Sequence, residues 1–344
     1  MKSYIWPNTL VPFTVLRLAV LRLAVLPITL LKMLGLAMLG LAMLGLAMFG
    51  LASTLVADEP SLSEIRHPKG VAFPPVKKSD IVQHTAYRTS GTIQLDGQLT
   101  EPSWTTAKAS SSFVDLVSGK PTQHDTRIKI LWDDQFLYVG YEIEEPNVQA
   151  KFLKRDAPIW QDNDIELFIA FAHTYYELEV NAHGTLYEGL FIWQNDYTKF
   201  GFEKLPSVNI SDPNIKHQPF NGVGYTKHPR GKRWAFLAWD FPGLRSAVHI
   251  DGTLNNDGDT DQGWTVELAI PWKGMRTLAH GDNRAIPPRD GNVWRMDFSR
   301  FNQYREASPA RDSGGWALSH HGIWDSHIPE VFAKVTFSET KVGE

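Results

Sequence analysis

The 344-residue chain contains no cysteine. Disulfides, thiolate metal sites and cysteine nucleophiles are thereby excluded. An oxidising compartment stays open, because a domain of this size can dispense with disulfides. Methionine is scarce, and only Met275 and Met296 fall after residue 48. The formal net charge of -4 is too small to leave the basic footprint of a nucleic-acid binder, so no such partner is expected. Convincing amphipathic helices are also missing, since apolar residues after residue 90 recur with period two and not 3.6. Tryptophan, by contrast, is abundant, with twelve residues. It supplies large flat apolar area with one polar handle, which suits both cores and binding surfaces.

The first 57 residues read as a targeting segment. After Arg17, Arg22 and Lys32, the run 33–57 carries no charge and repeats Gly-Leu-Ala-Met-Leu from Gly35 onward. Five residues cannot form a supersecondary unit, so the repeat is low-complexity and not a solenoid. The run has the pattern of a signal peptide, with cleavage near Ala57 favoured, and is also long enough for a retained signal anchor. Either form exports the remainder to a periplasmic or extracellular location, and only the anchor makes the membrane a partner.

Residues 58–90 are rich in proline, lysine and serine and are expected to form an extended lead-in. Strand patterns then follow at 126–132, 136–144, 164–171, 175–181, 185–193, 233–240, 264–270, 293–301 and 331–337. Their count and spacing predict an all-β fold, one antiparallel β-sandwich over 91–340. Two long loop insertions, 194–232 and 241–263, interrupt it and are of the length that tends to carry function. Trp104, Trp132, Trp264, Trp272 and Trp294 sit in or beside alternating runs and are assigned to the core.

The most informative stretch is the hairpin at 160–181. Alternation puts Ile165, Leu167 and Ile169 on one face and Asp164, Glu166 and Phe168 on the other. Tyr176, Leu178 and Val180 then match the apolar side, and Glu177, Glu179 and Asn181 the polar side. A short turn around His173 sets Glu166 opposite Glu179 and Asp164 opposite Asn181. Like charges across a ladder destabilise it, so a neighbouring cation or a polar ligand has to compensate. Arg127 and Lys129, on one face of 126–132, offer a purely structural charge lattice. Trp160 at the strand entrance favours a ligand site instead. The loop 251–261 adds several oxygen donors, among them Asp257, Asp259 and Asp261, as a candidate calcium site whose spacing is not that of an EF-hand.

Larger motifs resemble carbohydrate-binding module family 9. They are Ile93-Gln-Leu-Asp-Gly97 with Glu101-Pro-Ser-Trp104, Leu131-Trp-Asp-Asp134, Asp162-Asn-Asp-Ile-Glu-Leu-Phe168, Tyr176-Glu-Leu-Glu-Val-Asn181, Gly263-Trp-Thr-Val-Glu-Leu-Ala-Ile-Pro-Trp272, Trp294-Arg-Met-Asp-Phe-Ser-Arg300 and Pro329-Glu-Val-Phe332. The resemblance implies a β-sandwich that binds sugars without cleaving them, typically at chain ends, between two tryptophans. It assigns the walls to Trp160 and Trp316, with Trp324 competing for the second place, and the polar contacts to Glu166 and Asn181. Where the family has an arginine two residues before that asparagine, this chain has Glu179, and Arg155 or Arg300 is expected to supply the cation. The family also implies structural calcium and a link to glycoside hydrolases in carbohydrate breakdown, with an oligo- or polysaccharide as partner. No cofactor is otherwise expected.

Two other functions remain open from the residues. Glu166 and Glu179 could act as a glycosidase carboxylate pair. His320 and His321, with Met275 or Met296, could hold haem.

Overall fold

The structure, a computed structural model, describes residues 61–303 and 312–344. The targeting segment 1–57 lies outside the described residues. Among those described, no helix is long and apolar enough to cross a membrane.

Among the described residues, fourteen strands run in chain order as β1 Gln83–Arg88, β2 Val114–Asp115, β3 Thr126–Trp132, β4 Phe136–Glu144, β5 Asp164–Ala170, β6 Thr174–Asn181, β7 Leu186–Trp193, β8 Gln218–Phe220, β9 Arg233–Phe236, β10 Arg245–Asp251, β11 Gly263–Pro271, β12 Val293–Phe301, β13 Gly315–Ala317 and β14 Ala333–Lys341. The helices among the described residues are short: α1 Leu62–Arg66, α2 Pro102–Thr106 and α3 Gln194–Tyr197. Hydrogen bonding links the strands in the order β10-β11-β4-β3-β1-β14-β12-β5-β6-β7-β9-β8, with β13 on β12 and β2 on β13.

This ladder folds back on itself as a sandwich. Ile128, Ile130, Val139 and Tyr141 of β3 and β4 share one core with Ile165, Leu167, Leu178 and Val180 of β5 and β6 and with Phe298 of β12. The Tyr141 hydroxyl crosses that core to donate to the Glu166 carbonyl at 2.8 Å. The five tryptophans assigned to the core are all buried, and each indole N–H of Trp104, Trp132, Trp264 and Trp272 finds an oxygen acceptor, as a buried donor requires.

Three expectations need correction. The sheet is mixed, because β1 runs parallel to both β3 and β14. The connection from β1 to β3 is long enough for the crossover that parallel neighbours need. Residues 58–90 are not merely extended: α1 carries a Ser61/Glu64 capping box, and β1 sits in the middle of the sheet. The stretch 241–263 is not a bare loop either. β10 pairs with β11 along its whole length from Arg245↔Ala269 to Asp251↔Gly263, but as a half-exposed edge strand it has too few apolar residues to show an alternation.

Candidate functional site

The β5–β6 hairpin adopts the register that alternation requires, with Asp164 opposite Asn181, Glu166 opposite Glu179 and Phe168 opposite Glu177. Neighbouring strands extend the same face. β7 sets Tyr187 beside Glu179, while β12 sets Ser299 beside Glu166 and Phe301 beside Asp164. Because the odd residues of β5 enter the core, this polar face points away from it. It is nonetheless buried, every residue of β5 and β6 being so. Segments near 218–237 and 322–328 therefore roof it, leaving a cavity of about 370 Å³, within the size range of small-ligand sites.

Trp160, Tyr187, Phe191, Phe220, Phe301 and Trp324 give the cavity its apolar lining; Glu166, Glu177, Glu179, Asp325 and His327 give it a polar one. Trp160 lies in a single 3-10 turn, Ile159–Gln161, and remains 46% exposed. Its ring meets Tyr187 edge-on at 5.0 Å. Trp324 is held from two sides: Phe301 packs edge-on at 5.0 Å, and the Arg66 guanidinium lies 3.9 Å from the ring centre. A cation over an indole is attracted by the negative ring face.

Asp325 ties the roof together. Its Oδ2 accepts from the backbone N–H groups of Val223, Gly224 and Tyr225 at 3.0, 3.1 and 2.8 Å, and Oδ1 accepts from His327 N–H at 2.8 Å. The two segments approach so closely that a Cβ on Gly224 would lie 2.3 Å from the Trp324 carbonyl oxygen. Only glycine fits there.

The electrostatics follow from burial of many carboxylates together. Desolvation, then Asp297, pushes Glu166 up to about 8. Glu179 is held well above the carboxylate range by desolvation and by Asp164, Glu177 and Glu166. Glu177 is raised well above it by desolvation, Glu166 and Asp325. Asp164 is likewise far above its ordinary value, through desolvation and then Glu166; the Phe301 backbone, which forms no hydrogen bond of proper geometry to it, pulls weakly the other way. His327 is driven well below its usual value by desolvation and by Arg233. Its 3.5 Å contact with Glu177 is thus one between a neutral ring and a carboxyl that favours its proton, not an ion pair. His321 behaves oppositely. It is fully buried, yet the Asp297 carboxylate 2.9 Å away raises its pKa despite desolvation.

Glu166, Glu179 and Trp160 thus meet at one cavity. The other expected residues do not. Asn181 is fully buried beside them, but its amide donates to the Phe152 carbonyl and to Asp162, and its Oδ1 accepts from His183 and Thr185 N–H. It braces the segment leading to Trp160 and has no hydrogen-bonding capacity left for a ligand. Trp316 is sealed in the core, its N–H donating to Asp312 at 2.9 Å; Trp324 takes the place at the cavity. Arg155 pairs with Glu188 and with Asp240. Arg300, buried against the Trp316 face at 4.8 Å, donates to Thr126 and the Glu144 carbonyl and pairs with Glu145 at 3.4 Å. Neither reaches Glu179, because both point to the opposite side of the sheet. Arg127 and Lys129 pair with Asp125 and Glu142 and do not neutralise the hairpin.

The loop aspartates do not converge either. Asp261 accepts from Val148 and Thr253 N–H, Asp259 from the Thr253 hydroxyl, and Asp257 from the amides of Asn147 and Gln149. These carboxylates staple the turn. Among the described residues, the acidic group whose oxygens come within 4.8 Å of one another is Asp164, Glu166 and Glu179.

Sequence reasoning missed Tyr187, Asp325 and His327 as cavity residues. Extending the alternation to β7 would have found Tyr187; nothing in Trp324-Asp-Ser-His327 marks the other two.

Residues 106–207, the stretch bearing the hairpin, match the model of carbohydrate-binding family 9, and the resemblance read from the sequence holds there. No curated protein matches the chain. A solved structure described as a putative carbohydrate-binding protein from Bacteroides uniformis is 14% identical, covers 75% of this chain and 99% of its own, and gives a TM-score of 0.46. A carbohydrate-binding module of family 9 from Caldicellulosiruptor kristjanssonii, in complex with cellotriose, is 15% identical over 74% of this chain and 94% of its own, with a TM-score of 0.41. The same module with glucose gives 14%, 74%, 96% and 0.40.

Proposed function

We propose that this chain, whose hairpin stretch is that of carbohydrate-binding family 9, is an exported, non-catalytic protein that captures the end of an oligo- or polysaccharide in the cavity above β5 and β6. One observation carries the reading: a half-exposed Trp160 lines the same cavity as Glu166 and Glu179, which form no ion pair among the described residues. Sugar rings lay their C–H faces on aromatic rings, and their hydroxyls need carboxylate and amide partners. Aromatic walls over an acidic floor meet both needs. The uncharged run at 33–57 supports export, and capture of this kind serves carbohydrate breakdown by partner hydrolases.

Hydrolysis is less well served by this geometry. A glycosidase sets its two carboxyl groups on either side of the scissile bond, one protonated and one ionised. Here Glu166 and Glu179 stand side by side on one floor, both shifted toward the protonated form. Haem fits less well still. Met275 and Met296 are sealed in the core, and both ring nitrogens of His321 are engaged by Asp297 and the Asp325 carbonyl.

A glycan array with the full chain tests the proposal, followed by calorimetry on the best ligand and an assay for released reducing sugar. Saturable binding without release is expected. Absence of binding across the array, or turnover of a bound glycan, would overturn it.

A further inference from the structure

We infer that Asp164, Glu166 and Glu179 form a binding site for a hard divalent cation of the calcium class, set in the floor of the cavity. Each offers a carboxylate oxygen, and the three lie within 4.8 Å of one another. Proximity alone would mean little. The second observation is that both oxygens of Asp164 and Oε2 of Glu179 are buried with no hydrogen-bond partner, on side chains 0% and 2% exposed. Buried acceptors are almost always satisfied, and an exception calls for an ion, a water or a functional reason.

Among the described residues no ion pair reaches Asp164, Glu166 or Glu179, and the buried Arg233 on their side of the sheet donates instead to the Tyr175 hydroxyl and the His327 carbonyl. Arg155 and Arg300 face the other side of the sheet with their own acidic partners, and His321 is spent on Asp297. A bound cation relieves the repulsion and fills the open acceptor positions in one step, which a single hydrogen-bond donor does not.

The donor set fixes the chemical class. Three carboxylates with no sulfur or imidazole among them suit an oxygen-seeking ion, calcium above magnesium because several ligands come from fixed positions on a ladder and not from water. Glu166 and Glu179 line the cavity, whereas Asp164 is not among the lining residues and lies deeper. The ion is therefore reached from the cavity and keeps its outer coordination positions turned into it. On the saccharide reading above, vicinal hydroxyls of the bound sugar would complete that coordination. The cation site itself does not depend on that reading.

The test uses the full chain without any sugar, so its failure is separate from failure of saccharide binding. Protein stripped with a chelator is titrated with calcium chloride by calorimetry, and with terbium by tryptophan-sensitised luminescence. One saturable site is expected, in the micromolar to millimolar range. Asp164→Asn and Glu179→Gln each weaken it by about tenfold or more, and Asp259→Asn in the outer loop leaves it unchanged. In chelator, the first two variants melt no lower than the parent, because each swap keeps the shape of a carboxyl group that holds its proton when no ion is bound. Should either fail to fold, Trp160→Ala localises the site: sensitised terbium emission falls while calorimetric stoichiometry holds. The inference is overturned if the parent shows no saturable uptake, if binding survives both hairpin substitutions, if Asp259→Asn abolishes it, or if the emission ignores Trp160. The first of those results would mean that protons alone stabilise the cluster.

Discussion

The guanidinium of Arg66 lies 3.9 Å over the indole of Trp324, and the Trp324 backbone N–H donates to the Arg66 carbonyl at 3.1 Å. A residue of the N-terminal lead-in thus backs one wall of the cavity. Cation–π contacts at partly exposed sites are worth about 0.5–1 kcal/mol. Arg66→Ala is therefore expected to weaken saccharide binding roughly two- to fivefold, with unfolding little changed; calorimetry beside a thermal melt checks both. An affinity equal to the parent's would remove Trp324 from the site.

Trp160 and Trp316 should separate cleanly. Trp160 is half exposed and Trp316 fully buried. Trp160→Ala should lose about tenfold or more in affinity, since stacking adds about 0.5–1.5 kcal/mol to the area buried, and should melt as the parent does. Trp316→Ala leaves a cavity in the core and should cost about 3–5 kcal/mol of stability. Its folded fraction should bind normally. Denaturant unfolding paired with titration reads both, and the reverse pattern would restore Trp316 to the wall.

Asp325 gathers four backbone N–H groups from two segments. Asp325→Asn replaces an acceptor with a donor facing donors, which costs about 1–3 kcal/mol for each buried group left unpaired. Hydrogen exchange should accelerate at 222–225 and saccharide affinity should fall with it. Protection unchanged there would show that the roof is held by other contacts.

His84 in β1 carries a pH signature. Burial, and secondarily Lys108, depress it from 6.5 to about 4, and its Nε2 is buried without a partner. The unfolded chain takes up this proton near pH 6.5 and the folded chain only near 4. Stability from this residue is thus full above pH 6.5 and is lost as pH falls toward 4, by about 3 kcal/mol at most. A His84→Gln variant should show a correspondingly shallower acid decline in melting temperature than the parent. Parallel declines would count against a depressed pKa.

Period-two alternation is a local property, and it settled the hairpin. Glu166 had to face Glu179 because a one-residue slip would have driven Ile165, Leu167 and Leu178 out of the core. The same argument buried Trp132, Trp264 and Trp294, which sit in runs that read unambiguously. The half-exposed β10 and the polar β1 left no such trace, since their pairing comes from neighbours and not from their own apolar residues.

The sequence by itself determined the all-β class, the uncharged leading run, and an acidic ladder face entered through Trp160. It could not choose between Trp316 and Trp324, or say where Arg155 and Arg300 would point, or that the aspartates at 257–261 would staple their own turn and not converge on one point. Those outcomes belong to tertiary structure. They depend on which remote segments meet across the sheet, as Arg66 meets Trp324 and Asp325 meets Val223, and no repeat along the chain encodes contacts between segments so far apart.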